Sequence, residues 1–213
     1  DAAHAHGASI KGYKAGSIGD VGSFSFFPTK LITTGEGGMV TTNNKEIADY
    51  VKQVRHHGQK NGLMTEMGYN WRMPTLSAIL GLSQLKRLDS FIERRNEIAD
   101  KYKNAFQGMD EIELIDVPGY ITHGYWKYPI LLKKYTAKEF QTILKEKYNI
   151  DTGTVYYPPV HLQPYYKENY GYKEGDMPSS ERNLKREICL PIFVDITDKQ
   201  LNYVIESVKK ELK

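Results

Sequence analysis

The sequence predicts an α/β chain in two parts. Paired short strands and amphipathic helices run to about residue 90, and an α+β arrangement continues to the C-terminus. Three observations carry that expectation. Residues 21–27, Val-Gly-Ser-Phe-Ser-Phe-Phe, alternate as a strand does, and Met39 to Thr42 follows across a glycine-rich turn. Apolar residues then recur at helical spacing in one segment after another. The last of these, from Thr197 onward, carries both a start signal and a continuous apolar stripe.

Each element has its own local reason. Asn43 with Glu46 predicts a capping pair for a helix with Ile47, Val51 and Val54 on one face. Pro74 suits the first turn of a second helix, with Leu76, Ile79 and Leu80 inward. Phe91, Ile98, Tyr102 and Phe106 continue a helical pattern that Gly108 should end. This long helical region predicts a division into residues 1–90 and 91–213. No flexible linker separates them, so the two parts should pack together. In the second part, Trp126 to Leu132 reads as a strand that Pro129 demotes toward an edge or a bulge. Thr136-x-x-Glu139 caps a helix with Phe140, Ile143 and Leu144 inward. Val155 to Tyr157 and Ile188 to Leu190 are further strand candidates. Thr197-x-x-Gln200 opens the final helix, with Leu201, Val204, Ile205, Val208 and Leu212 as its stripe.

Composition sets bounds on function. With 213 residues there is length for a sizeable core, and 16 tyrosines argue against disorder. Lys and Arg total 29 against 26 Asp and Glu, a well-mixed net charge of +3 that leaves no footprint for nucleic acid or a membrane surface. The apolar runs are far shorter than a spanning helix needs. The lone Cys189, in Ile-Cys-Leu-Pro, reads as a buried strand thiol and suits a reducing cytoplasm.

The chemistry points to Lys30. It follows Pro28 at the end of the phenylalanine-rich strand and precedes Gly35-Glu-Gly-Gly38, a turn that needs positive φ. A lysine so held is placed for amine chemistry, and the commonest carbonyl partner of a lysine is pyridoxal phosphate (PLP). Asp1 offers the carboxylate that keeps a pyridine nitrogen protonated. Ser25 and Asn70 offer a hydroxyl and an amide for a phosphate. Other patterns carry less. His4-Ala-His6 and Arg55-His56-His57 lack the cysteines or acids that would complete a metal set, so no metal is expected. Gly16, Gly19 and Gly22 lead into a strand, whereas a dinucleotide fingerprint leaves one. The tyrosine-rich stretch from Tyr156 to Tyr172 contains Glu168, which argues against a nucleic-acid groove. It reads as a loop packed by its own rings.

These blocks together resemble the PLP-dependent nucleotide-sugar aminotransferases known as the DegT/DnrJ/StrS group. The resemblance runs from Asp1-Ala-Ala-His4-Ala-His-Gly through Gly19 to Lys30, Gly35-Glu-Gly-Gly, His57-Gly-Gln, and Gly68-Tyr-Asn70-Trp-Arg72-Met. It continues in Tyr157-Pro-Pro-Val-His161-Leu-Gln-Pro-Tyr-Tyr and Leu190-Pro-Ile-Phe. It implies the second half of a fold-type I cofactor domain in residues 1–90 and a small α+β domain in 91–213, with the family's N-terminal half not represented. It also implies that Lys30 bonds PLP as a Schiff base, that Asp1 pairs with the pyridinium and that His4 lies against the ring. Ser25 would bind the phosphate, and Asn70 would reach the partner's phosphate across a homodimer. His161 and Tyr157 would line the sugar side. The implied substrate is a nucleotide-linked keto sugar for a cell-surface polysaccharide, with glutamate as amino donor. The alternatives are a sugar dehydratase of the same family, whose members carry histidine where this chain has Lys30, and an inactive binding or regulatory fragment.

Overall fold

A computed structural model describes all residues, Asp1–Lys213. In chain order the elements are β1 (Ser9–Ile10), β2 (Tyr13–Lys14), β3 (Gly22–Ser25), β4 (Gly38–Thr41), α1 (Lys45–Val54), β5 (Gln59–Lys60), β6 (Leu63–Met64), α2 (Thr75–Leu85) and α3 (Leu88–Phe106). They continue with β7 (Ile112–Leu114), β8 (Ile121–Thr122), β9 (Tyr128–Leu132), α4 (Ala137–Tyr148), a 3₁₀ turn (Val160–Leu162), α5 (Pro164–Tyr170), α6 (Pro178–Arg186), β10 (Glu187–Leu190) and α7 (Asp198–Leu212). The chain forms two compact units. The first is Asp1–Asn96 with Val117–Trp126, and the second is Glu97–Asp116 with Lys127–Lys213. The change of unit therefore falls within α3, a few residues beyond position 90, and the chain returns once to the first unit before leaving it.

In the first unit, β3 and β4 form an antiparallel hairpin in the register Gly22↔Thr41 to Ser25↔Gly38. A second small sheet has the order β2-β1-β8. Helix α1 begins one residue later than the sequence suggested. Asn44 is the cap, its side-chain oxygen accepting from the backbone N–H groups of Glu46 and Ile47. Pro74 lies just before the first helical residue of α2. The stripe Leu76, Ile79 and Leu80 of α2, expected to face inward, is exposed, Leu76 by 82%. Nothing within these residues covers it. Ala2, Leu31, Ile32 and Ile92 are the buried apolar side chains of this unit.

The second unit has a larger core. Its antiparallel sheet has the order β10-β9-β7, and Ile98, Tyr102, Phe106, Ile130, Leu132, Phe140, Leu144, Ile188, Leu201 and Val208 are buried within the unit. Both expected capping boxes form, Thr136 with Glu139 and Thr197 with Gln200. Gly108 ends α3 with φ of 82°.

Two strand expectations are corrected. Pro129 lies on β9, which is the central strand and not an edge. It sits opposite Cys189, and both backbone groups of Cys189 turn the other way to pair with Gly153. Pro129 thus occupies a non-hydrogen-bonded pair, and its missing N–H faces the side where β7 has already ended at Leu114. Val155 to Tyr157 is not a strand. The ladder there is a single bridge between Gly153 and Cys189. The Val155 N–H is taken by the Glu187 carboxylate at 2.9 Å, and Pro158 and Pro159 bring no donors with which to continue. The tyrosine-rich stretch is partly helical, not a plain loop, with Tyr165, Tyr166 and Tyr170 in ring contact around α5.

Candidate active site

Lys30 is carried on a turn fixed mainly by backbone hydrogen bonds. Its own N–H donates to Phe27 O at 3.0 Å, Thr34 N to Phe26 O at 3.0 Å, and Phe26 N to Gly37 O at 2.9 Å. The Thr33 hydroxyl also donates to Phe26 O, and its N–H donates to the Gln84 side chain of α2. Leu31 and Ile32, directly after the lysine, are buried and anchor the turn from below. The glycines are needed. Gly37 has φ of 153°, and a Cβ there would lie 2.4 Å from the Thr34 hydroxyl oxygen. Gly35 has φ of 79° with open space beside it.

The N-terminal segment is tied to β3. Ala2 N donates to Ser23 O at 2.9 Å, and the Asp1 carboxylate accepts from Ala3 N at 2.8 Å. The His4 ring stacks on Trp126, with centroids 3.6 Å apart and planes 15° from parallel. Lys30 Nζ sits over the same indole, 4.8 Å from its centroid. The structure therefore joins Lys30 and His4 through one ring. Ser25 lies at the end of β3, and its hydroxyl accepts from Phe27 N at 3.4 Å.

His6 is buried between Phe24 and Phe26. Burial lowers its pKa, the Ser25 backbone pulls the other way, and the charges of Lys30 and His4 lower it further. A neutral imidazole behind the lysine strand is the result.

The other predicted residues lie elsewhere. Asn70 is exposed beyond β6, bridged in backbone to His56, and its side-chain oxygen accepts from Arg72. Tyr157 and His161 belong to the second unit. His161 is buried, with Nε2 2.9 Å from the Glu181 carboxylate. Glu181 also accepts from Gly175 N at 2.9 Å and Met177 N at 3.0 Å. The Gly175 amide and then His161 hold its pKa below the ordinary carboxylate value. Tyr157 is exposed and lines two clefts of about 420 and 320 Å³, both also lined by Lys185.

Trp126 escaped the sequence reading, which placed it at the start of a strand. It stands before β9, and its indole N–H donates to Thr29 O at 2.6 Å. That contact spans most of a hundred residues of chain, so no local pattern could have signalled it.

The donor set suits PLP chemically: an amine on a stiff turn, a carboxylate, a hydroxyl and a flat imidazole. These are the kinds of group that a carbonyl-cofactor site uses. The chain belongs to the DegT/DnrJ/EryC1/StrS aminotransferase family, whose model matches residues 1–209. It is 38% identical to the spore coat polysaccharide biosynthesis protein SpsC of Bacillus subtilis, covering 100% of this chain and 59% of that protein. It is also 38% identical to the GDP-perosamine synthase of Escherichia coli O157:H7, covering 99% and 57%. Among solved structures it is similar to S. venezuelae DesV in complex with a ketimine intermediate, with a TM-score of 0.91, 30% identity, and coverage of 100% of this chain and 57% of that one. The chain thus spans somewhat under three-fifths of the relatives it matches, and its fold is the corresponding part of theirs. No helix is long and apolar enough to cross a membrane.

Proposed function

We propose that the intact protein is a PLP-dependent aminotransferase that moves an amino group from glutamate to a keto sugar linked to a nucleotide. We propose also that it acts as a cytoplasmic homodimer in polysaccharide biosynthesis. The observation that carries this is the lysine turn. Lys30 is the amine presented by a backbone made rigid around it, beside the stacked His4 ring. Membership of the family and its nucleotide-sugar relatives support the reaction class.

In this proposal Lys30 Nζ would hold the cofactor and, when free, would serve as the base for the proton on the α-carbon of the amino donor. When bound, PLP supplies an electron sink for the charge left at that carbon. Asp1 would supply the carboxylate that favours a protonated pyridine nitrogen. His4 would lie against the cofactor ring, and the Ser25 hydroxyl would bind its phosphate. Asn70, exposed in this chain, serves the phosphate of the partner subunit in a dimer. Tyr157 offers an exposed ring to the sugar nucleotide, and His161, held by Glu181, stiffens the segment that carries it. A lysine at position 30 also favours transamination over the family's dehydratase chemistry.

Borohydride reduction of the intact, PLP-loaded protein, followed by peptide mapping, tests the assignment. The label should sit on Lys30, and Lys30→Ala should abolish both label and turnover. A label on another lysine, or full turnover in Lys30→Ala, overturns it.

A further inference from the structure

Trp126 gathers three contacts on one side chain. Its indole N–H donates to Thr29 O at 2.6 Å, the carbonyl of the peptide that leads into Lys30. Its face carries Lys30 Nζ at 4.8 Å from the centroid. Its ring also stacks on His4 at 3.6 Å. The loop that delivers it is itself built for the purpose. Tyr125 holds a left-handed φ of 45°, uncommon for a bulky residue. Arg95 of α3 donates to Tyr125 O at 2.6 Å and to Trp126 O at 3.5 Å. Asn96 donates to His123 O at 3.0 Å, and Tyr125 N donates to His123 Nδ1 at 3.0 Å. Gly124 is buried where a Cβ would lie 3.1 Å from His6 O. A strained backbone held by two helical side chains is a costly way to place a ring, and the ring lands on the lysine.

We infer that Trp126 is a positioning residue that fixes the Lys30 turn, holds the free lysine amine over its face, and sets the plane of His4. The indole N–H locks the peptide before Lys30, which limits where the amine can swing. The negative face of the indole attracts the ammonium form and keeps the amine docked whenever it is not bonded to a carbonyl. Stacking on His4 holds that ring parallel to the indole. This inference rests on the reading of Lys30 as the cofactor lysine, but the contact itself can be tested without cofactor.

The test uses the intact protein stripped of PLP, as wild type, Trp126→Phe and Trp126→Leu. Acetylation of each lysine by acetic anhydride is followed by peptide mass spectrometry, with Lys101 and Lys145 as references. Losing the indole face in Trp126→Leu should speed acetylation of Lys30 by about fivefold, with the references unchanged. Trp126→Phe keeps an aromatic face and should stay within about twofold of wild type. Equal Lys30 rates in wild type and a folded Trp126→Leu overturn the inference. Should Trp126→Leu not fold, the indole N–H resonance of Trp126 decides. It should shift in Lys30→Met, and an unmoved resonance overturns the inference. Failure of the cofactor reading looks different, because borohydride would then leave no label on wild-type Lys30, whatever the acetylation rates show.

Discussion

Replacing Gly37 by Ala tests how much of the site rests on the turn behind the lysine. At φ of 153°, an L side chain enters a region almost reserved for glycine, costing about 1–3 kcal/mol. The new Cβ would also stand 2.4 Å from the Thr34 hydroxyl oxygen. That hydroxyl is buried and donates to Glu36 O at 2.8 Å. Moving it aside sacrifices a hydrogen bond worth about 1 kcal/mol. The sum is roughly 2–4 kcal/mol, concentrated where Gly37 O receives Phe26 N. Gly35→Ala is the natural comparison. Its φ of 79° is also unfavourable, but its Cβ would meet no atom, so it should cost only about 1–2 kcal/mol. Urea denaturation gives the two losses, and PLP retention after gel filtration gives the functional effect. Gly37→Ala should lose cofactor faster than Gly35→Ala and be less stable by about 1.5 kcal/mol, the difference between the midpoints of the two ranges. If the two variants prove equal in both respects, the steric account of the turn is wrong.

Tyr102→Phe should destabilise the protein by about 1–2 kcal/mol in urea. It deletes a buried hydroxyl that donates to Pro191 O at 2.8 Å and leaves that carbonyl without this donor. Burial raises the Tyr102 pKa well above the ordinary phenol value. Its contribution is therefore intact below about pH 10 and declines as pH rises beyond that toward the folded value, a decline that Tyr102→Phe should lack. Glu181 has the opposite sign. Its pKa is lowered by the Gly175 amide first and His161 next, so its stabilisation is present above the ordinary carboxylate pKa and fades as pH falls through the lower folded value. Protection from hydrogen exchange at the Gly175 and Met177 amides, relative to the intrinsic rate at each pH, should fall on acidification below about pH 4 in wild type and already be low at neutral pH in Glu181→Gln. Acid-insensitive protection in wild type would remove Glu181 as the clamp of that loop.

What the sequence revealed follows the range of the interactions involved. The capping boxes at Thr136 and Thr197 involve groups three residues apart, and both formed as written. The lysine strand and its glycine turn are likewise local. Asn43 and Asn44 are neighbours of equal capping ability, so only the backbone decided between them. Pro129 misled because a proline forbids one hydrogen bond, not a whole strand. The forbidden bond pointed past the end of β7, a fact of register that no single strand contains. The α2 stripe was correctly periodic, but periodicity says which face is apolar and not what meets it. His161 was expected at a pocket wall because of its place in a motif. Its burial against Glu181 depends on α6, twenty residues away.

Trp126 shows why the site was only half legible. Lys30 and His4 are visible from sequence because each stands in a recognisable block, but the agent that joins them comes from a loop after β8. In the first unit few side chains are fully buried, so packing alone cannot fix the lysine. Order there comes from hydrogen bonds: Phe26 with Gly37, Thr33 with Gln84, and Thr29 with the indole. Each is worth about 1 kcal/mol net, and each constrains the same turn from a different side. In the role proposed for Lys30, the amine would have to be held within a fraction of an ångström yet be free to leave a carbonyl partner. A turn braced by several modest directional bonds, with a flat aromatic face for the released amine, meets both demands better than a close-packed core would.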